Sequence, residues 1–222
     1  MELVKATIGL RFSEALSPWL EMRRIIRGVG ENPSAEIEGS PLVMDIKDKR
    51  QRVVLHFKAF EFIQEGVNSI EDSIDAAVDK LVKSNSSSKL PQMAQMWYES
   101  IFIERYAVPF HELLLLMKNR FLRPSALVDS TTDFGLIFDE IEGDVLKHYQ
   151  TGPMRKEQLL KMYLHYGRDR VPDNFVFLNL RYQQSKDFAF DADYVREFLQ
   201  AAGQWQTQQA KSVLSYLKKG ED

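Results

Sequence analysis

The chain has 222 residues, 44% hydrophobic and 27% charged, an ordinary soluble composition with room for one sizeable domain or two small packed ones. Its 29 basic and 32 acidic residues leave a net charge of −3, which argues against a general nucleic-acid binder, because neutralising phosphates takes a basic excess. Cysteine is absent, so disulfides and thiolate chemistry are excluded and zinc would have to take histidines and carboxylates.

The longest apolar run, Leu113 to Met117, is far too short for a membrane span. The opening "MELVKATIGL" lacks the basic start and small-residue cleavage site of a secretory signal. The expectation is a cytoplasmic protein with no membrane partner. Residues 2–12 alternate, with Val4, Ala6, Ile8 and Leu10 on one side and Leu3, Lys5, Thr7, Gly9 and Arg11 on the other. That pattern predicts a half-buried strand. Ser17-Pro18 then offers a cap and first-turn proline for a helix whose face includes Leu16, Trp19, Leu20 and Ile26. "PLVMDI" and "RVVLHFKAFEFI", flanking the polar "KDKRQ", predict a hairpin with Val53, Leu55, Phe57 and Ala59 toward the core. Residues 69–83 give the clearest helix, with Ser69 and Asp72 as a capping pair and Ile70, Ile74, Ala77, Val78, Leu81 and Val82 as its stripe. "KSNSSSKLP" reads as a polar linker and the best break in the chain.

After it the order starts again. "QMWYESIFIERY" predicts a strand, and Pro109 leads a helix with Phe110, Leu113, Leu114, Met117 and Phe121 on one face and Leu115 and Leu116 widening it. "FGLIFDEIE", "VLKHYQTG" and "FVFLNLRYQ" predict three further strands. Residues 156–166 fit a strand or a helix, and the antiparallel surroundings favour a strand. Residues 191–218 predict a long helix opened by Asp191 or Asp193, with Gly203 inside it at a cost of about 1 kcal/mol against Ala. Such a glycine marks a bend or a close approach of another backbone.

The elements amount to an α+β fold of two pseudo-repeated halves, 1–90 and 91–222, packed as one unit. The first half reads strand, helix, hairpin, helix. The second reads strand, helix, antiparallel strands, long helix, so each curved antiparallel sheet can bury one face under helices. "RFSEALSPWLEMRR" from Arg11 and "RYAVPFHELLLLMKNR" from Arg105 open the two helical stretches alike. This order resembles a tandem pair of TATA-binding-protein-like, or helix-grip, units, which implies a sheet curling round a helix. "IERYAVPFHELLLLMKNRF", "FVFLNLRYQ" and "FDADYVREFLQAAGQWQTQQAKSVLSYL" resemble a sporadically distributed family of uncharacterised bacterial proteins. That resemblance implies no molecular function, and its patchy distribution points to accessory or defence-type genes.

Motifs with chemistry are few. A glycine-rich phosphate loop, a nucleophile elbow and a helical histidine pair are all missing. The histidines are His56, His111, His148 and His165. They read as satisfied, partly buried side chains, with a metal site built from His56 and His165 as the alternative. Asp191 and Asp193 could hold a cation, though helix capping accounts for them. The acidic run Asp129, Asp133, Asp139, Glu140, Glu142 and Asp144 reads as a solvated strand edge, or as a surface for a basic partner. No catalytic residue, metal ligand or cofactor is assigned.

Two surfaces stand out. Trp97, Tyr98, Tyr163, Tyr166 and Tyr182 lie on predicted strands and could receive a ligand or partner. Arg23, Arg24 and Arg27, if they meet Lys47, Lys49, Arg50 and Arg52, would make an anion patch. The expected function is a non-enzymatic binding or interaction protein, an accessory subunit of a bacterial defence-type multiprotein system. Its contacts would come from the exposed sheet face or from Gln204 to Gln209, with a protein partner or a second copy of itself. One alternative is a small-ligand binder or enzyme with a pocket in the curled sheet. The other is nucleic-acid binding through the basic patch.

Overall fold

A computed structural model describes residues 1–16, 19–27, 42–46, 50–122, 131–166 and 171–218. In chain order they form β1 (Glu2–Phe12), α1 (Trp19–Arg27), β2 (Leu42–Ile46), β3 (Gln51–His56), β4 (Ala59–Glu65) and α2 (Ile70–Ser87). These are followed by β5 (Met93–Arg105), α3 (Phe110–Phe121), β6 (Leu136–Glu142), β7 (Val145–Arg155), α4 (Lys156–Met162), β8 (Asn174–Phe188) and α5 (Ala192–Lys218). All strands join one antiparallel sheet in the order β2-β3-β4-β1-β5-β8-β7-β6. Outward from the β1–β5 seam, each half runs first strand, fourth, third, second. Each also has a helix after its first strand and another after its fourth. The α+β class and the pseudo-repeat follow from that order, with α4 as an addition to the second half.

One face of the sheet lies under α1, α2, α3 and α5. There Ile8 and Leu10 of β1, Phe60 and Phe62 of β4, Tyr98 of β5 and Leu180 of β8 meet Ile74, Leu81, Phe198 and Leu199 in the main core. Each large side chain so buried stabilises the fold by about 1.5–3 kcal/mol. A smaller cluster joins Leu113 and Met117 of α3 to Val176 and Leu217. Gln206 of α5 is fully buried, and its Nε2 donates to the carbonyls of Tyr98 (2.8 Å) and Leu180 (3.0 Å). Its Oε1 accepts from Ser100 Oγ at 2.5 Å, so this member of the glutamine-rich segment pins α5 to the sheet.

The helix ends follow their caps. Ser69 Oγ accepts from the Asp72 amide at 3.0 Å, and Asp191 Oδ1 accepts from the amides of Asp193 (2.9 Å) and Tyr194 (3.0 Å). Gly203 faces Ile70 and Ile74 of α2. A Cβ there would come within 2.6 Å of Ile70 Cγ2, so the glycine permits close side-chain packing between α2 and α5.

Several expectations are corrected. "RVVLHFKAFEFI" is two strands, because the chain turns at Phe57 and Lys58 and resets the alternation, leaving Phe57 exposed and Phe60 and Phe62 in the core. A register shift between Leu3 and Lys5 carries Val4 away from Ala6 and Ile8 to the opposite face. The serine tract is helical as far as Ser87, and within it Ser86 and Ser87 turn their hydroxyls back onto the carbonyls of Val82 and Lys83. Residues 156–162 form a helix rather than a strand. Leu159, with Leu164 just beyond the helix, packs onto Ile101, Ile103, Phe175 and Phe177, so the segment lies on the sheet rather than in it.

Candidate functional site

Residues out of phase with the main core form the sheet's second face, which is covered at one end by α4 and residues 163–166. The remainder is a trough of ≈ 470 Å³ over β1, β4, β5 and β8. Gly9 is its floor. It pairs with Trp97 on β5 and Glu61 on β4, and Trp97 lies across it. A Cβ on Gly9 would fall within 1.9 Å of Trp97 Cζ2, so only glycine allows this approach. The Arg181 guanidinium sits 5.0 Å from the Trp97 ring centroid, held by a cation–π contact, and its buried Nε has no hydrogen-bond partner.

Charge accumulates around this stack. Arg11 and Lys5 lie on β1 on either side of Gly9, while Glu61, Glu99 and Arg181 line the flanks. Among the described residues none of these five groups forms an ion pair. Elsewhere on the sheet, opposite charges on adjacent strands have closed up: Arg52 with Asp45 at 3.5 Å and Lys147 with Glu142 at 2.6 Å. Within the trough, Asn179 Nδ2 donates to Glu99 Oε1 at 2.7 Å, and Lys5 Nζ donates to the Tyr163 carbonyl at 2.7 Å. Burial pulls the Lys5 pKa below its ordinary value, against the opposing pull of Glu65, Glu99 and Glu61.

The strap after α4 makes the end wall. Glu65 accepts from the amides of His165 and Tyr166, each at 2.6 Å, and Tyr166 donates its hydroxyl to Asp45 at 2.5 Å. Burial raises the Glu65 pKa, although both amides and Lys5 oppose it. Burial, with Arg52 and Lys5, lowers that of His165. A second cavity of ≈ 360 Å³ lies beyond α4, lined by Phe134, Gly152, Met154, Met162 and Phe177.

Of the aromatic residues singled out from the sequence, Trp97 and Tyr163 come together in the trough and Tyr166 belongs to the strap. Tyr98 and Tyr182 face the other way. Tyr98 is buried under the helices with its pKa pushed up to about 12, and Tyr182 packs on Phe198 and Trp205 at 5.5 and 5.6 Å. Neighbours along a strand point to opposite faces, so Trp97 and Tyr98 cannot share one site.

The basic residues are likewise divided. Arg23, Arg24 and Arg27 belong to α1, which buries Met22, Ile25 and Ile26 in the main core alongside Val53. Arg52 precedes Val53 and so points to the opposite face, where it pairs with Asp45. Arg50 sits at the strand entrance with a φ of 51°, and Lys47 and Lys49 lie outside the described residues.

His56, His111 and His165 are exposed, and His148 bonds to Asp139. Among the described residues no group of three or more His, Asp or Glu could hold a metal ion, and no helix is long and apolar enough to cross a membrane. Sequence reasoning missed Lys5, Arg11, Glu61, Glu99 and Arg181 as a group. The available signal was Gly9 within an otherwise polar strand face, a sign of close approach by another side chain.

No family model matches the chain. No curated protein matches it. Among solved structures it is similar to Methanococcus jannaschii TBP, at 9% sequence identity over 98% of each chain, with a TM-score of 0.35. That score is low, and the fold description rests on the strand order itself.

Proposed function

We propose that this is a non-enzymatic binding protein that receives its ligand on the second face of the sheet, in the part that α4 leaves open, in the trough around Arg181 and Trp97. The supporting observation is the set of three bases and two carboxylates left unpaired in one cavity. Lys5 is partly desolvated with no close counter-charge, and a bound polar ligand would supply one. The sequence resemblance extends the proposal to an accessory subunit of a bacterial, cytoplasmic, defence-type assembly, which holds its ligand for partners rather than transforming it. Titration calorimetry against a metabolite and peptide library tests the reading. A ligand should bind wild type, lose affinity with Arg11→Ala and Arg181→Ala, and be recovered unchanged by mass spectrometry. Binding indifferent to both substitutions, or recovery of a converted product, would overturn it.

A second reading concerns protein partners. Strand β6, at one end of the sheet, pairs on one side only among the described residues and exposes Ile137, Phe138 and Ile141, the last of them 77% exposed. An edge of this kind suits strand addition by a partner protein or a second copy. Sedimentation velocity with the double variant Phe138→Lys and Ile141→Lys should then show loss of the complex.

A further inference from the structure

We infer that the trough takes a small zwitterion carrying one more anionic than cationic group, of the acidic amino-acid class. This rests on the binding reading above and names the ligand for that site. Among the residues that line the trough, Lys5, Arg11 and Arg181 outnumber Glu61 and Glu99 by one positive charge, and Glu65, which acts on Lys5 from the end wall, has its carboxylate taken by the amides of His165 and Tyr166. A ligand of net charge −1 with both signs neutralises that lining group by group.

The placement of the groups gives each ligand function a place. The Arg181 guanidinium lies over Trp97, and Trp97 lies over Gly9, so Arg181 reaches the middle of the trough, two residues along β1 from Arg11. Arg11 and Arg181 line the same cavity, and a guanidinium suits a carboxylate, which Arg binds through paired N–H donors. Glu61 pairs with Gly9 from the β4 side, and Glu99 follows Trp97 at the next same-face position of β5, so carboxylates border the stack and can accept an ammonium. Lys5 stands toward the strap end, with one ammonium proton committed to the Tyr163 carbonyl and others left for a second anionic group.

The same arrangement rejects the simpler ions. A phosphate or dicarboxylate without an amine would press like charge against Glu61 and Glu99 while leaving them unpaired. A diamine or lysine would meet three cations. The cavity of ≈ 470 Å³ has the capacity for an amino acid of this size, since small-molecule sites span about 300–1,000 Å³.

Calorimetry with L-glutamate, glutarate, L-lysine and inorganic phosphate as probes decides the matter. L-glutamate should bind, and glutarate, which lacks the ammonium, should bind at least about tenfold more weakly, the worth of one charge-assisted contact. Glu61→Gln should narrow that gap, with circular dichroism confirming that the variant is folded. Equal or tighter binding of glutarate or phosphate, or silence from all four probes while library ligands still depend on Arg11 and Arg181, would overturn the zwitterion and leave the trough as a binding site. Library ligands indifferent to Arg11 and Arg181 would remove the trough altogether.

Discussion

Toward α2 and α5 the sheet presents Ile8, Phe62, Tyr98 and Leu180; one residue away on the same four strands, toward the trough, it presents Thr7, Glu61, Trp97 and Arg181. The backbone is common to both faces, and only the phase differs. On the first face four helices exclude water, and the buried Gln206 has a partner for each hydrogen bond it makes. On the second, α4 closes one end and five charges stand unpaired. The contrast separates residues that hold the fold from residues that the fold merely carries, and it predicts substitution effects of different size on the two sides.

The largest effect should come from the helix face. Phe62→Ala removes a fully buried ring and should cost about 3–5 kcal/mol in urea unfolding. Arg181→Ala, one strand beyond β5 on the opposite face, should cost no more than about 1 kcal/mol, the scale of a cation–π contact. Comparable losses for the two would break the division. Gly9→Ala lies between them. Its methyl group would drive Trp97 off β1, costing about 1–3 kcal/mol through overpacking and shifting tryptophan emission to the red as the indole meets water.

The smallest effect belongs to the strap and appears in its pH dependence. Glu65 has a pKa raised from the usual 4.5, so its contribution to stability is fully present below that value and is lost as the pH rises through the folded pKa. His165 has a pKa lowered from 6.5, so its contribution is present above that value and is lost as the pH falls through the folded pKa. Relative to Glu65→Gln, wild type should therefore lose stability on going from pH 4 toward neutrality, read as a slope in denaturant midpoints. Relative to His165→Asn, it should lose stability on acidification below 6.5. Each swing should stay below about 1 kcal/mol, because both groups are partly solvated.

Much of the fold was legible because β-alternation and helix caps are local. The two faces of β1 from Lys5 onward, the α2 stripe with its Ser69 cap and the opening of α5 near Asp191 all follow from spacing. The turn at Phe57 and Lys58 was not legible, since it contains no Gly, Asn or Pro to announce it. Nor was α4, whose seven residues carry leucines that satisfy either period. The trough was harder still. Its charged residues run from Lys5 to Arg181 along the chain, and only the strand registers bring them together. Selecting residues for being aromatic placed Trp97 and Tyr98 in one surface, although adjacent strand residues cannot share a face.

The position of β1 at the centre of the sheet bears on how the polypeptide matures on the ribosome. Its two hydrogen-bonding neighbours are β4, at 59–65, and β5, at 93–105, so one rim stays unsatisfied until β4 has emerged and the other until β5 has emerged. Until then Ile8 and Leu10 are displayed on a strand with at least one open edge, a template for pairing with other nascent chains. Holdase chaperones should thus engage this polypeptide early in translation and release it once the seam closes.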